Sequence, residues 1–124
     1  ELQTQYDSTV GGVYQYDMLG LLGEIVRPHY RWFLLGPCRS GSRPHIDPDG
    51  TSAWNALVVG RKRWAFILPE ALASGLIKKS DVEAGSMSAL AWFRDRLPEL
   101  RRRCPQYLLE HLQQEGEVMH VPAG

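Results

Sequence analysis

The sequence predicts a mainly β fold with flanking helices, and three stretches carry that reading. Tyr30–Leu35 is an aromatic and aliphatic run stopped by Gly36-Pro37, the pattern of a buried strand and its terminator. Ala53–Val59 and Lys62–Leu68 are two strand-like runs joined at Gly60-Arg61, a two-residue hairpin signal.

The remaining elements follow from spacing and punctuation. The polar, glycine-bearing stretch 1–12 has no apolar period and reads as a loop or frayed end. Tyr14–Val26 places Met18, Leu21, Leu22 and Ile25 at helical spacing, with Asp17 as N-cap and Pro28 closing it; such a helix would buttress a sheet. Cys38–Pro44 is a loop holding Arg39 and Arg43, either solvated or close to an anionic ligand. Pro48-Asp49-Gly50 is turn chemistry. Pro69–Lys79 suggests a short helix and turn, and Met87–Arg103 puts Leu90, Phe93 and Leu97 in helical step. Arg101, Arg102 and Arg103 then complement a helix dipole at its C-terminus, a reading preferred to a nucleic-acid patch. Tyr107–Gln114, with Leu108, Leu109 and Leu112, is helical on propensity, and its state stays open.

Composition narrows the function classes. A chain of 124 residues is at most one small domain, and its 14 basic and 14 acidic residues cancel, so no global field attracts nucleic acid or a membrane. A mean hydropathy of -0.29 with 44% apolar residues describes a globular chain. No apolar run approaches the roughly 18 residues that span a bilayer. Cys38 and Cys104 lie in unlike surroundings without a CxxC, and are expected as free thiols in a reducing compartment. The chain opens on Glu1 and closes on VPAG, and it is expected to be a fragment.

The residues with the most chemistry are His45 and Asp47. Side chains two apart on an extended strand point to one face, so an imidazole and a carboxylate can converge there. Such a pair is two-thirds of the 2-His-1-carboxylate set that holds non-haem Fe(II) with open coordination positions. The predicted hairpin pairs Val59 with Lys62, Leu57 with Trp64 and Asn55 with Phe66, which projects Asn55 and Lys62 to one side, roughly 13 Å apart along the ladder. Lys62 would share that face with Leu57, Trp64 and Phe66, an odd place for a merely solvated lysine. Trp54 and Trp64 read as packing residues.

The string SGSRPHIDPDGTSAWNALVVGRKRW, with YRWF before it and GEVMHVPAG at the end, resembles the Jumonji-C family of oxygenases. Within it the likeness is to the bifunctional arginine demethylase and lysyl hydroxylase subfamily, once described as phosphatidylserine receptors. It is strong over residues 30–68 and looser over 89–124, where Gly116–Pro122 matches the family's turn and strand and implies a strand over 117–121. The resemblance implies a partial double-stranded β-helix of the jelly-roll and cupin kind, with 1–29 as an N-terminal loop and helix and 30–124 as a Jumonji-C domain truncated before its distal metal histidine. It implies Fe(II) on His45 and Asp47, and 2-oxoglutarate clamped by Lys62, Asn55 and Ser42, with O2 as the second co-substrate. The substrate would be a protein lysine or methylarginine side chain, giving hydroxylysine or loss of formaldehyde. An RNA or chromatin-associated partner, no membrane, and a nuclear (otherwise cytoplasmic) location also follow from the family.

Departures from the family pattern are specific. Ser42 replaces a threonine and keeps its hydroxyl; Pro44 stands before His45 where the subfamily has an apolar residue. His120 occupies an aromatic position of the motif, and the family's second metal histidine falls three residues beyond the glycine matching Gly124. The family's N-terminal co-substrate tyrosine is not assigned between Tyr6 and Tyr14. The contrasting reading is a non-catalytic β-barrel fragment or binding module without a closed metal site.

Overall fold

The computed structural model describes Thr4, residues 16–82 and residues 85–123. Its four strands are β1 (Ala53–Ala56), β2 (Arg61–Ile67), β3 (Leu108–Gln114) and β4 (Val118–Val121). Between β2 and β3 come four short helices, α1 (Pro69–Ala73), α2 (Lys79–Val82), α3 (Ala89–Asp95) and α4 (Leu97–Arg103). Sheets and helices therefore share the fold, helical residues outnumber strand residues, and the described residues form no closed barrel. No helix among them is long and apolar enough to cross a membrane.

The predicted hairpin between 53–59 and 62–68 does not form. β1 pairs antiparallel with β4, and β2 pairs antiparallel with β3, in two separate two-stranded sheets. The partners are Asn55 with Met119 and Lys62 with Gln113, so Asn55 and Lys62 lie along one path of the chain instead of side by side. The turn signal at Gly60-Arg61 is local, whereas the strand 108–121 offers a long ladder to both runs at once, and that pairing wins. Of the undecided stretch 107–114, Leu108–Gln114 is strand and Tyr107 ends a 3-10 turn, Pro105–Tyr107; the strand expected over 117–121 forms as β4, Val118–Val121.

The two sheets are segments of one ribbon bent at a corner. Residues 57–60 on one side face 115–117 on the other, one residue more, so the register slips by one between Ala56↔Val118 and Arg61↔Gln114. A bulge of this kind sharpens the bend and re-aims side chains. Gly60 (φ +98°) and Gly116 (φ +85°) stand at the corner in backbone conformations that a side chain would strain. Leu57 still spans it, donating to the Glu117 carbonyl and accepting from Gly116 N at 3.0 and 2.8 Å.

The core lies on one face of the second sheet. Ala71, Ile77, Trp92, Leu97, Leu100 and Cys104 form its buried cluster, with Ala65, Ile67 and Leu108 packed against it from β2 and β3. Trp92 donates its indole N–H to Val82 O at 3.2 Å, so its one polar atom is satisfied. Ser88 caps α3, its hydroxyl accepting from Ala91 N at 3.2 Å. The single helix expected over Met87–Arg103 is two, separated at Arg96. Pro98 has no N–H to return to the Arg94 carbonyl, so the turn restarts there with the proline in its first positions. Both cysteines are free, Cys38 exposed and Cys104 buried.

Two N-terminal expectations are corrected. Of the helix expected over 14–26, residues 16–26 are described and hold a 3-10 turn at Leu19–Leu21 instead; Met18, Leu21 and Ile25 are exposed, so this part buttresses no sheet. Gly20 and Gly23 lower helix propensity, and an isolated segment this short needs packing to stay helical. Asp17 does accept from Gly20 N at 2.7 Å, closing the turn, and also holds Tyr30 and Arg31. Tyr30–Leu35 is not a buried strand: it joins no sheet, and Trp32, Phe33, Leu34 and Leu35 are exposed. The stretch 1–12 lies outside the described residues apart from Thr4, as do Tyr6 and Tyr14.

Candidate functional site

The loop from Gly36 to Pro48 delivers His45 and Asp47, and it is anchored near its middle. Arg43 donates to the Gly85 carbonyl, and Gly41 sits 3.5 Å from Ala89 at the start of α3 measured from the position of an added Cβ. No strand forms at His45, yet its backbone keeps the pair together: His45 Nε2 lies 3.3 Å from Asp47 Oδ1. His45 Nδ1 is 2.6 Å from the Arg43 carbonyl. A carbonyl can only accept, so Nδ1 carries a proton, and Nε2 is the ring nitrogen that faces the carboxylate. A backbone carbonyl orienting one ring nitrogen in this way is the usual support of a metal-binding histidine. Pro48 then opens a 3-10 turn, Pro48–Gly50, which ends the segment.

No group of three His, Cys, Asp or Glu side chains that could hold a metal stands together among the described residues. His120 is exposed on β4 opposite Trp54 and does not join His45 and Asp47. The donor set present is thus one imidazole and one carboxylate oxygen, which suits a divalent cation of the iron type but fills only part of its coordination shell.

Lys62 stands on β2 with its side chain half-buried. Its ammonium lies 4.1 Å from the centre of the Trp64 ring, and Trp64 in turn stacks on Phe66 with centroids 5.5 Å apart. Lys62, Trp64 and Phe66 therefore share a face, opposite the one that Ala65 and Ile67 turn to the helices. Burial pushes the Lys62 ammonium below the ordinary lysine value. A partly desolvated point charge on an aromatic floor is poised for an anion. Asn55 is half-buried on β1, and Ser42 is exposed in the loop before His45.

Three features escaped the sequence reading. Gln113 is fully buried and makes hydrogen bonds to Trp64, Asn55 and Glu117. Glu117 closes the corner, its carboxylate accepting from Gln114 N at 2.7 Å with His111 Nε2 at 3.1 Å; the Gln114 bond, then His111, holds it below the ordinary glutamate value. Glu110 receives both Arg63 and Arg101 on the helix-facing side. The only advance signal was a polar residue within an amphipathic run whose state was undecided.

Comparison with known proteins matches the motifs. The chain is similar, over 95–99% of its length, to Jumonji-C demethylases and lysyl hydroxylases. It is 37% identical to the arginine-specific demethylase JMJ22 of Arabidopsis thaliana over 127 residues, which is 99% of this chain and 24% of that protein. It is also 38% identical over 123 residues to the bifunctional arginine demethylase and lysyl-hydroxylase psr-1 of Caenorhabditis briggsae, and 37% identical to the lysine-specific demethylase JMJ21 of Arabidopsis thaliana. The chain spans about a quarter of the length of JMJ22 and 31% of psr-1. No protein-family model and no solved structure matches it.

Proposed function

We propose that this chain carries the proximal half of an Fe(II)- and 2-oxoglutarate-dependent protein hydroxylase or demethylase site within a partial double-stranded β-helix. The observation that supports this best is the His45–Asp47 pair, 3.3 Å apart, with the imidazole pinned by the Arg43 carbonyl so that Nε2 and Oδ1 face one point. The third ligand would come from outside the described residues, as the family motif has it beyond the position of Gly124. When bound, iron and 2-oxoglutarate supply the oxidant that turns a C–H bond into C–OH with O2.

This chain's own residues would bind and orient. His45 Nε2 and Asp47 Oδ1 hold the cation, and the Asp47 charge offsets part of its own. The Lys62 ammonium takes one carboxylate of the co-substrate, a point-charge task that lysine suits. The Ser42 hydroxyl and the Asn55 amide supply further hydrogen bonds. The Trp64 ring under Lys62 shields one side of the ammonium from water. Substrates of the demethylase and hydroxylase type named for the relatives point to a protein lysine or methylarginine side chain, with a nuclear location and an RNA or chromatin-associated partner as family-based extensions.

The test is metal and co-substrate binding by the whole protein that contains this sequence. Asp47→Asn keeps the shape and removes the charge, and should lose Mn(II) or Fe(II) almost as fully as His45→Ala. Lys62→Ala should leave the metal in place and weaken 2-oxoglutarate about ten- to a hundredfold, the value of one charge-assisted hydrogen bond. Metal binding undiminished in Asp47→Asn would end the assignment of that ligand, and unchanged 2-oxoglutarate affinity in Lys62→Ala would end that of the clamp.

A further inference from the structure

Gln113 is the one polar side chain in the described structure that is fully buried, and it sits at the bend between the two sheets. Its Oε1 accepts the Trp64 indole N–H at 2.7 Å. Its Nε2 donates to Asn55 O at 2.8 Å and to Glu117 O at 2.9 Å. The amide thus uses both donor hydrogens and its acceptor, and no buried side-chain polar atom among the described residues lacks a partner. At Glu117 O it adds a second bond to the one that this carbonyl accepts from Leu57 N at 3.0 Å.

The identity of those partners carries more than stability. One is the backbone of Asn55 on β1; another is the ring on which the Lys62 ammonium rests, on β2. The register argument that placed Asn55 and Lys62 together fails in this fold, since their strands do not pair. Gln113 restores a connection by another route. Without the indole hydrogen bond, Trp64 is free to turn about its side-chain torsions against Phe66 alone, and the Lys62 ammonium loses a fixed floor.

We propose that Gln113 is a positioning residue that sets the place of the Lys62 ammonium relative to Asn55, acting through the Trp64 ring and the Asn55 carbonyl. Its consequence for co-substrate binding rests on the function proposed above, whereas the positioning itself does not.

The experiment is nuclear magnetic resonance on this chain. The Lys62 ammonium nitrogen lies 4.1 Å from the Trp64 ring centre, so the ε-protons on the adjoining carbon are shifted upfield by the ring current. In Gln113→Leu that shift is expected to fall by more than half, and the Trp64 indole N–H to lose its protection from exchange. The methyl signals of Ile77, Leu97 and Leu100 in the helical core are expected to stay. An unchanged Lys62 shift in a folded Gln113→Leu chain overturns the proposal, because packing on Phe66 would then hold the ring by itself. Should the core signals collapse, Trp64→Phe takes over: it keeps a phenyl ring and removes the N–H with the rest of the pyrrole ring. A Lys62 shift below half the size that a fixed phenyl ring gives supports the proposal there, and one at that full size overturns it.

In the whole protein, Gln113→Leu should also weaken 2-oxoglutarate about three- to tenfold, less than Lys62→Ala does. If Lys62→Ala has no effect on that affinity, the clamp reading fails while the ring-current result stands. If Lys62→Ala weakens it and Gln113→Leu does not, the positioning role fails and the clamp survives.

Discussion

Replacing Glu110 by Gln removes a charge and little else, at a point where three elements meet. Glu110 lies on β3 and accepts Arg63 of β2 through Oε2 at 2.8 Å. Its Oε1 accepts Nε and Nη2 of Arg101, on α4, at 3.0 and 2.6 Å. Arg63 also lies 5.1 Å from the centre of the Phe93 ring on α3. Taken at face value, a hydrogen bond to a charged group is worth about 1.5–3 kcal/mol. Both arginine side chains are 51% exposed, so solvent screening brings each pair down to about 0.5–1 kcal/mol. Glu110→Gln should therefore lose roughly 1–2 kcal/mol at neutral pH.

The pH dependence makes the prediction sharper. Burial pushes Glu110 up, but the hydrogen bonds from Arg63 and Arg101 outweigh it and leave the carboxyl below the ordinary value of 4.5. A group whose folded value is depressed contributes its stability above the unfolded value, and loses it as the pH falls through the folded one. Urea midpoints of the wild-type and Glu110→Gln chains should thus differ at pH 7 and draw together as the pH falls below 4.5 and through the folded value. A gap that persists undiminished in acid would mean the substitution acts through packing, and no gap at pH 7 would mean the arginines are held by solvent alone.

Trp92→Ala should cost about 3–5 kcal/mol in urea unfolding, since it empties the largest buried site in the core; a loss under about 1.5 kcal/mol would contradict that burial. Ser88→Ala should cost about 1 kcal/mol by removing the cap of α3, and Ser88→Asp should restore it. Burial holds Lys62 below the ordinary lysine value of 10.5, so its charge opposes folding at neutral pH, and that cost fades as the pH rises through its folded value toward 10.5. Wild type should therefore gain stability relative to Lys62→Met between pH 7 and pH 10; a constant difference in urea midpoint would refute the desolvation.

What the sequence disclosed divides by range. Turn and cap chemistry is local, and the Asp17 and Pro48-Asp49-Gly50 turns appear where residue types put them. The His45–Asp47 convergence is equally local, two residues apart, and it forms even though the segment is a loop and not a strand. Strand pairing is not local. Gly60-Arg61 signals a hairpin as strongly as two residues can, but only the presence of 108–121 as a competing partner decides against it, and that stretch was itself ambiguous between helix and strand. Tyr30–Leu35 fails for a related reason: an apolar run states that a strand is affordable, not that a neighbour is available.

The corner shows why the clamp could not be read by counting along the chain. Period-two alternation assigns faces only while the register holds, and here it slips by one residue between the sheets. Within β2 the count works, and Lys62, Trp64 and Phe66 do share a face. Across Leu57–Gly60 it does not, so nothing in the spacing of Asn55 and Lys62 fixes their relation. That relation passes instead through Gln113, a residue 58 positions from Asn55 and 49 from Trp64 along the chain. A buried amide among alternating leucines carried the signal, because such a group must find partners for three hydrogen-bonding atoms. In this ribbon the partners are a strand carbonyl, a turn carbonyl and an indole, one from each piece that the bend would otherwise let move apart.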